Sequence, residues 1–337
     1  MYFPIRLFGV GSIINIIKMK KMKLFTIVLI YITFFLVGSV GNVFAQQNDT
    51  LSFLHISDIH LIFNVQMFQK DLAQNRSLYG NGVKPFKEFL KKVPGETRSD
   101  FVVATGDLVD MFEGEMAVGG KMKSQSEQFS RLLNSCKVPV YLILGNHDIS
   151  SYSWKDSAKV STQIFAERAR ATWIKNADCF NEGTYFSQVY NVGKTSYRMI
   201  YLDNGYNLFP PGSNLKNPYI DKIQLFWLKD QLQKSVDDIE IIMIHIPITS
   251  NSVHQNPSNE FYSLLSENPS VKLVLAGHDH KNAIKVFPSA QNNIITQVQT
   301  GSFGQNNDNW RVIRLTENKI IISLPGKTEK EIEILIP

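Results

Sequence analysis

The chain has no excess of charge of either sign outside its first 45 residues. Its 337 residues include 35 Lys and Arg against 30 Asp and Glu, and residues 1–45 hold five of the bases and none of the acids. The remainder, 46–337, is therefore electrically neutral. Because nucleic-acid recognition depends on a basic face, we expect no nucleic-acid partner.

Cysteine is also scarce, since Cys136 and Cys179 are the only two. They allow one disulfide bond at most, and the sequence does not decide whether their Cα atoms lie within bridging distance. Neither lies near the end of the N-terminal apolar run, which argues against a lipoprotein anchor. Internal repeats and low-complexity tracts are absent as well, and a hydrophobic content of 44% excludes a disordered or fibrous protein.

The N-terminal apolar run has the features of an export signal. It extends from Leu24 to Val37 and is followed by Val43-Phe44-Ala45 and the polar Gln46. Basic residues precede it, namely Lys18, Lys20, Lys21 and Lys23. We therefore expect residues 1–45 to be a leader cleaved before Gln46, so that the mature chain is periplasmic or secreted. The alternative is an uncleaved membrane anchor, because a span needs about 20 residues and the apolar stretch is nearly that long.

Short β-branched runs alternate with helical periodicity over 46–337, which we expect to form a single domain. Buried strands are predicted at Leu51–Ser57, Phe101–Thr105, Val140–Leu144, Ile239–His245 and Val271–Ala276. Helices are predicted at Val83–Val93, Lys121–Ser135, Val160–Trp173 and Asp221–Ser235. This alternation predicts an α/β architecture.

Two regions instead have the pattern of antiparallel hairpins. Strands follow one another in Thr184–Leu202 and after Lys285, with turn sequences at Asn191-Val192-Gly193 and Asn318-Lys319. We expect these strands to form a second sheet packed against the first. The segment Gly205–Asn217, rich in Asn, Pro and Gly, predicts a long surface loop, and such loops often carry function.

Polar blocks lie at the ends of the five predicted strands. They are Asp58-Ile59-His60, Gly106-Asp107, Gly145-Asn146-His147-Asp148, His245 and Gly277-His278-Asp279-His280. In α/β folds, ligands bind outside the carboxyl ends of the strands, so these side chains should converge. Carboxylates, an amide oxygen and imidazoles there provide ligands for two divalent ions, with one carboxylate shared. The glycines should let the chain turn sharply between neighbouring side chains.

Together and in this order, the blocks resemble the calcineurin-like metallophosphoesterases over Asp58–His280. Any one block is common in unrelated proteins, whereas all of them at strand ends are highly specific. The resemblance implies an α/β four-layer sandwich of two mixed β-sheets flanked by helices, and an activity on phosphate esters of small molecules.

The resemblance also implies a role for each site residue. One metal ion would be bound by Asp58, His60, Asp107 and His280. The other would be bound by Asp107, Asn146, His245 and His278, with Asp107 bridging the two. Two dications about 4 Å apart repel each other and need such an anion between them. A hydroxide bridging the ions would attack phosphorus, because metal binding lowers the pKa of water towards neutrality.

Two further residues, His147 and Asp110, receive no metal under this resemblance. It implies that His147 faces the leaving group as general acid or hydrogen-bond donor and that Asp110 orients its ring. Asp110 stands where purple acid phosphatases have a ligating Tyr, which argues against an iron–tyrosinate centre. Met111 stands where Ser/Thr protein phosphatases have a phosphate-clamping Arg, which argues against protein phosphatase activity.

The sequence thus predicts an exported dinuclear phosphoesterase with a slight preference for phosphodiesters. The alternatives are a phosphomonoesterase and a catalytically inactive metal-binding or regulatory protein of the same fold. The two ions could be Mn, Zn or Fe, because mixed imidazole and carboxylate ligands suit all three. The oligomeric state stays open.

Some residues near the blocks have structural interpretations. His55 lies inside an apolar strand and should be a buried core histidine, and Asp148 should stiffen its loop. Four aromatic residues either form a rim over the site or pack on the scaffold. They are Tyr152, Trp154, Tyr206 and Phe209.

Overall fold

A computed structural model describes residues 49–76, 82–153, 158–160, 163–205, 220–235, 238–248 and 260–336. The expected leader, 1–45, and nearly all of the expected loop Gly205–Asn217 lie outside the described residues, as do Trp154, Tyr206 and Phe209. Among the described residues, no helix is both long enough and apolar enough to cross a membrane.

The described strands and helices are numbered along the chain. The strands are β1 Thr50–Ile56, β2 Phe101–Thr105, β3 Glu113–Glu115, β4 Lys121–Met122, β5 Val140–Ile143, β6 Ser151–Ser153, β7 Ala158–Val160, β8 Phe186–Val192, β9 Thr195–Tyr201, β10 Asp238–Met243, β11 Val271–Ala276, β12 Ala283–Pro288, β13 Ile294–Gln299, β14 Trp310–Thr316, β15 Lys319–Ser323 and β16 Lys330–Leu335. The α-helices are α1 Lys70–Asn75, α2 Val83–Thr97, α3 Gln125–Leu133, α4 Gln163–Asn176, α5 Lys222–Lys234 and α6 Glu260–Ser266.

The first sheet has the strand order β16-β15-β14-β1-β2-β5. β1, β2 and β5 are parallel, with Phe53 opposite Phe101 and Val102 opposite Val140. β14, β15 and β16 extend the sheet on the other side in antiparallel pairs. Parallel strands that are buried on both faces have nearly continuous apolar sequences, which is why β1 and β2 could be recognised from the sequence.

The second sheet has the order β12-β13-β11-β10-β9-β8. Its four central strands are parallel, and the edge strands β8 and β12 are antiparallel to their neighbours. The β8–β9 hairpin turns at Gly193, with a φ of 58°, as its sequence predicts. The expectation that all strands after Lys285 join the second sheet is wrong, because β14, β15 and β16 extend the first sheet. This region is also not made of hairpins alone, because β13 pairs in parallel with β11. A turn sequence predicts pairing only between the two strands that it joins, whereas the parallel partner of a strand lies farther along the chain.

The two sheets face each other, and helices cover their outer faces. One buried apolar cluster joins both sheets to α2, α3 and α4; it includes Phe53, Val103, Met199, Ile241, Phe86, Phe129 and Trp173. A second cluster joins α5 and α6 to the second sheet; it includes Leu228, Phe261, Ile242 and Val274. This arrangement confirms the expected four-layer α/β sandwich.

A small third sheet, of order β4-β3-β6-β7, was not expected from the sequence. Lys121 and Met122 pair with β3, and Val160 pairs with Ser151. The helices predicted at Lys121–Ser135 and Val160–Trp173 therefore begin too early, since α3 starts at Gln125 and α4 at Gln163. Strands of two or three residues are too short to show an alternating pattern.

Candidate metal centre

Backbone hydrogen bonds join the loops that follow the strands. Asp58 N–H donates to Gly106 O at 3.1 Å within the first sheet, and Gly277 N–H donates to His245 O at 3.0 Å within the second. His278 N–H donates to Asp58 Oδ2 at 2.8 Å, which connects one sheet to the other. The predicted site residues therefore meet at one edge of the sandwich, as parallel strands require.

A first group of donor atoms comes from both sheets. Its members are Asp58, His60, Asp107 and His280, and their ligand atoms lie within 4.8 Å of one another. His60 Nε2 and His280 Nε2 are 3.0 Å apart, and Asp58 Oδ1 lies 3.4 Å from His280 Nε2. Asp107 Oδ2 lies 3.7 Å from His60 Nε2. We call these four residues the first donor set.

A second donor set contains Asp107, Asn146, His245 and His278. Asn146 Oδ1 lies 3.2 Å from His245 Nε2 and 3.1 Å from His278 Nδ1. The two histidine nitrogens are 3.2 Å apart, and Asp107 Oδ2 is 3.2 Å from His245 Nε2. Tetrahedral ligands about 2.0–2.1 Å from one ion lie roughly 3.3 Å apart, so this spacing fits a bound divalent ion.

Both sets fit divalent metal ions by the chemistry of their donors. Two imidazole nitrogens lie 3.0 Å apart in the first set and 3.2 Å apart in the second, an arrangement that a shared cation stabilises. Oδ2 of Asp107 belongs to both sets, so this buried carboxylate is placed to bridge two ions. The residues therefore fit a dinuclear site, and their mixed nitrogen and oxygen donors do not select one metal.

Contacts on the far side of two imidazoles, His245 and His280, hold these rings in place. His245 Nδ1–H donates to the carbonyl oxygen of Thr105 at 2.8 Å, which directs Nε2 to the second set. Gln305 contacts His280 Nδ1 at 3.2 Å. Such outer partners hold metal-binding histidines in place. Sequence reasoning missed both residues, because Thr105 acts through its backbone and Gln305 lies in a segment without a motif.

Buried charge makes the site attractive to cations. Burial alone would raise the pKa of Asp107, but His245 and His147 hold it well below the usual value. Burial alone would lower the pKa of His245, but the neighbouring Asp107 carboxylate raises it to about 9. Burial, with His245 close by, lowers the pKa of His278 to about 4. An ionised Asp107 and a neutral His278 are the states that metal binding requires, whereas His245 would have to give up its proton to bind an ion.

The backbone is strained at the predicted ligands themselves. Positive φ angles occur at Asp58 (50°), His60 (51°), Asp107 (49°), His278 (72°) and His280 (57°). Each such conformation costs on the order of 1–3 kcal/mol outside glycine and persists where the surroundings enforce it. The sharp backbone turns were expected at the glycines, but within the polar blocks most of the positive φ angles occur at the predicted ligand residues.

Glycine has a second use at this edge, namely close approach of the loops. Gly106 does turn, with a φ of 87°. A Cβ atom at Gly145 would lie 2.3 Å from Asp107 Oδ1, a distance that no side chain tolerates. A larger residue at position 145 would therefore push the Asn146 loop away from the bridging carboxylate.

His147 lies beside the donor sets. Its backbone N–H donates to Asp107 Oδ1 at 2.8 Å, and its Nδ1–H donates to the carbonyl oxygen of Asp110 at 2.7 Å. The Asp110 carboxylate, which was expected to orient this ring, lies 3.7 Å from Nδ1. Because Nδ1 is held by a backbone carbonyl, Nε2 is the ring atom that can act on a substrate.

The Asp110 carboxylate makes its closer contacts elsewhere. Arg76 donates to both of its oxygens, with Nε 2.6 Å from Oδ2, and His60 Nδ1 lies 3.2 Å from Oδ1. Burial alone would raise the pKa of Asp110, but Arg76 and His60 hold it below its usual range. His60, Asp110 and His147 could form a third metal-binding group by distance alone. The pairing with Arg76 instead gives Asp110 a hydrogen-bonding role.

The residues with structural interpretations are placed as follows. Tyr152 is buried, with its hydroxyl 3.4 Å from His147 Nδ1, and so packs on the scaffold rather than forming a rim. Asp148 accepts hydrogen bonds from the backbone N–H groups of Val109 and Gly145 at 3.0 and 2.7 Å, which joins the two loops. His55 is buried, and burial lowers its pKa to about 3, so it stays neutral.

Two proteins of known name are similar to this chain in sequence. A 3′,5′-cyclic-nucleotide phosphodiesterase of Nostoc sp. is 23% identical over 241 residues, which cover 68% of this chain and 72% of that protein. The DNA double-strand break repair protein Mre11 of Methanococcus maripaludis is 28% identical over 177 residues, and the match covers 52% of this chain and 43% of that protein.

Solved structures share the fold at low identity. A dimetal phosphatase from Danio rerio superposes with a TM-score of 0.54 at 15% identity, over 85% of this chain and 98% of that one. GAP50, the anchor in the inner membrane complex of Plasmodium, superposes with a TM-score of 0.51 at 17% identity, over 85% and 88%.

The family described as calcineurin-like phosphoesterase matches residues 51–282, which include every predicted site residue. Since this match spans more than half of the chain, the protein belongs to the calcineurin-like phosphoesterase family and is a hydrolase acting on phosphoester bonds.

Proposed function

We propose that this hydrolase is exported and cleaves small phosphodiesters, with His147 assisting the departing oxygen. One observation carries the proposal. The Asp107 carboxylate faces both donor sets through Oδ2, while its Oδ1 accepts the backbone N–H of His147 at 2.8 Å. A single buried side chain thus ties the position of His147 to both donor sets.

The two ions, Asp107 and His147 would have different roles in phosphoester cleavage. Two divalent ions, when bound, would neutralise charge on the phosphoryl oxygens and activate water. Asp107, whose Oδ2 faces both donor sets, would offset the repulsion between the two ions. His147 keeps Nδ1–H on the Asp110 carbonyl, so that Nε2 can give a proton or a hydrogen bond to the leaving oxygen.

The preference for diesters rests on the charge around the site. A monoester dianion carries one more negative charge than a diester and gains more from a guanidinium clamp. Met111 is buried in an apolar cluster, so it offers no such clamp. Arg76 is already paired with the buried Asp110. The relative from Nostoc sp., named as a cyclic-nucleotide phosphodiesterase, supports a small diester as substrate.

A hydrolysis panel tests this preference. We expect kcat/KM for bis(p-nitrophenyl) phosphate to exceed that for p-nitrophenyl phosphate by at least about tenfold, or 1.4 kcal/mol. Each substrate is measured with Mn²⁺, Zn²⁺ and Fe²⁺ on the purified protein, and the chelator-treated protein is the control. A faster reaction with the monoester under every metal would favour the phosphomonoesterase alternative.

The panel also covers natural diesters. It contains 3′,5′-cyclic nucleotides and single- and double-stranded DNA, because one relative is named as a DNA repair protein. The neutral charge of 46–337 leads us to expect activity on the small diesters and little on DNA. Absence of hydrolysis with every substrate and metal would instead support the inactive regulatory alternative.

Export is the second part of the proposal and has its own test. We expect the exported protein to begin at Gln46, because Val43 and Ala45 form a small-residue exit after the apolar run. N-terminal sequencing or intact-mass measurement of protein from the extracytoplasmic fraction checks this. Recovery of residues 24–45 in the mature protein would show an uncleaved anchor instead.

A further inference from the structure

Arg76 lies next to the site but belongs to neither donor set. It directly follows α1, and Leu72 of that helix packs in a buried apolar cluster with Phe68, Met111 and Tyr152. The helix is therefore held against the small third sheet. This packing fixes the point from which the Arg76 side chain reaches into the protein.

The guanidinium of Arg76 has a defined orientation. Nε donates to Asp110 Oδ2 at 2.6 Å and Nη2 donates to Oδ1, which makes two parallel hydrogen bonds. The guanidinium carbon lies 5.3 Å from the centre of the Tyr152 ring. Two parallel bonds from a planar group fix the plane of the carboxylate as well as its position.

The carboxylate held in this way contacts the first donor set. Asp110 is fully buried, and its Oδ1 lies 3.2 Å from His60 Nδ1. With Nδ1 facing this carboxylate, His60 Nε2 is directed at the other donors of its set. The backbone carbonyl of the same Asp110 holds His147 Nδ1 at 2.7 Å. One residue therefore orients two histidines, through its side chain and its backbone.

We propose that Arg76 is a positioning residue that fixes His60 for metal binding by holding the Asp110 carboxylate in place. The inference rests on the proposed use of both donor sets for metal ions. Without the guanidinium, a buried carboxylate would lose its closest cationic partner and would reorient towards His60 and His147. His60 would then no longer be held in one orientation, whereas the second donor set has no contact with Arg76 or Asp110 in the described contacts.

Cobalt titration of the metal-free protein tests the proposal without using activity. Arg76→Met keeps the length of the side chain and removes its charge and donors. We expect the affinity of one of two Co²⁺ sites, read from visible absorption and calorimetry, to fall by roughly 10–100-fold, the usual effect of losing an outer partner of a metal ligand. The affinity of the other site should stay within about twofold. Arg76→Lys should recover part of the loss, because a lysine offers a point charge but not two parallel bonds.

A matched control comes from the same side of the molecule. Arg168 also pairs with a buried carboxylate, Glu113, at 3.1 Å and also lies over an aromatic ring, that of Phe165. It contacts no residue of either donor set in the described contacts. Arg168→Met should therefore bind two Co²⁺ ions as the unaltered protein does. If Arg168→Met weakens cobalt binding as much as Arg76→Met does, the effect is general destabilisation and the proposal fails.

A double substitution gives a second, independent check. If Arg76 acts through Asp110, Arg76→Met should weaken cobalt binding no further in a protein that already carries Asp110→Asn. Additive losses, or unchanged binding in Arg76→Met, would overturn the proposal. Because the readout is cobalt binding, a protein that binds two ions normally but hydrolyses no diester would contradict the proposed function and leave this inference standing.

Discussion

Asp107→Asn should release both metal ions and abolish phosphoester hydrolysis. Oδ2 of Asp107 lies 3.2 Å from His245 Nε2 and 3.7 Å from His60 Nε2, so one oxygen faces both donor sets. An amide at this position is uncharged, and two dications about 4 Å apart would lose the anion that offsets their repulsion. The second set would keep only neutral donors, namely Asn146, His245 and His278.

Metal content of the purified variants, measured by mass spectrometry after gel filtration, checks this expectation. The unaltered protein should hold two ions per chain and Asp107→Asn close to none. Asp58→Asn is the informative comparison, because Asp58 belongs to the first set alone and its loss should release one ion. Asp230→Asn, which alters a surface pair with Lys234 at 2.7 Å, is the control. Near-normal metal content in Asp107→Asn would show that this carboxylate does not bridge.

The convergence of the site residues was predictable from the sequence because it follows from strand order. β1, β2, β10 and β11 are mostly buried, so their sequences are mainly apolar and end abruptly in polar blocks. Parallel strands bring those ends to one edge of the sandwich. The structure brings together the residues of both donor groups that the resemblance implies, with Asn146 joining the second through its amide oxygen.

The third sheet and the outer partners of the site were not predictable. Arg76 lies 34 residues before Asp110, and Gln305 lies 25 residues after His280, with no motif around either. Their contacts depend on where α1 and the loop after β13 pack, which local periodicity does not report. The carbonyl groups of Thr105 and Asp110 leave no trace in the sequence at all, because any residue has one.

The structure also changes how the role of Asp110 can be tested. From the sequence, Asp110→Asn should resemble a mild loss of His147, because its carboxylate was expected to orient that ring. In the structure this carboxylate lies closer to His60, and the contact with His147 is made by the backbone carbonyl. Substituting Asp110 would therefore disturb His60 and metal binding first, while the carbonyl contact with His147 stays in place. A clean test of the leaving-group role has to alter His147 itself.

His147→Ala should lower turnover by roughly 10²–10⁴ while both metal ions stay bound, the size expected for loss of a general acid. His147 belongs to neither the first nor the second donor set, and its backbone N–H to Asp107 Oδ1 survives the substitution. The loss should be smaller for p-nitrophenyl esters than for alkyl esters, because nitrophenolate leaves without a proton. Turnover of both ester types and metal content are measured on the same preparation.

Tyr152→Phe supplies the matched control for this variant. It removes a hydroxyl 3.4 Å from His147 Nδ1 but leaves the stronger bond from Nδ1–H to the Asp110 carbonyl, so turnover should change by less than about tenfold. If His147→Ala releases an ion, His147 holds metal and the leaving-group role is wrong. If both ester types slow equally, His147 acts on the phosphoryl oxygens rather than on the leaving oxygen. If the loss of turnover depends on the leaving group and both ions stay bound, His147 gives a proton or a hydrogen bond to the departing oxygen.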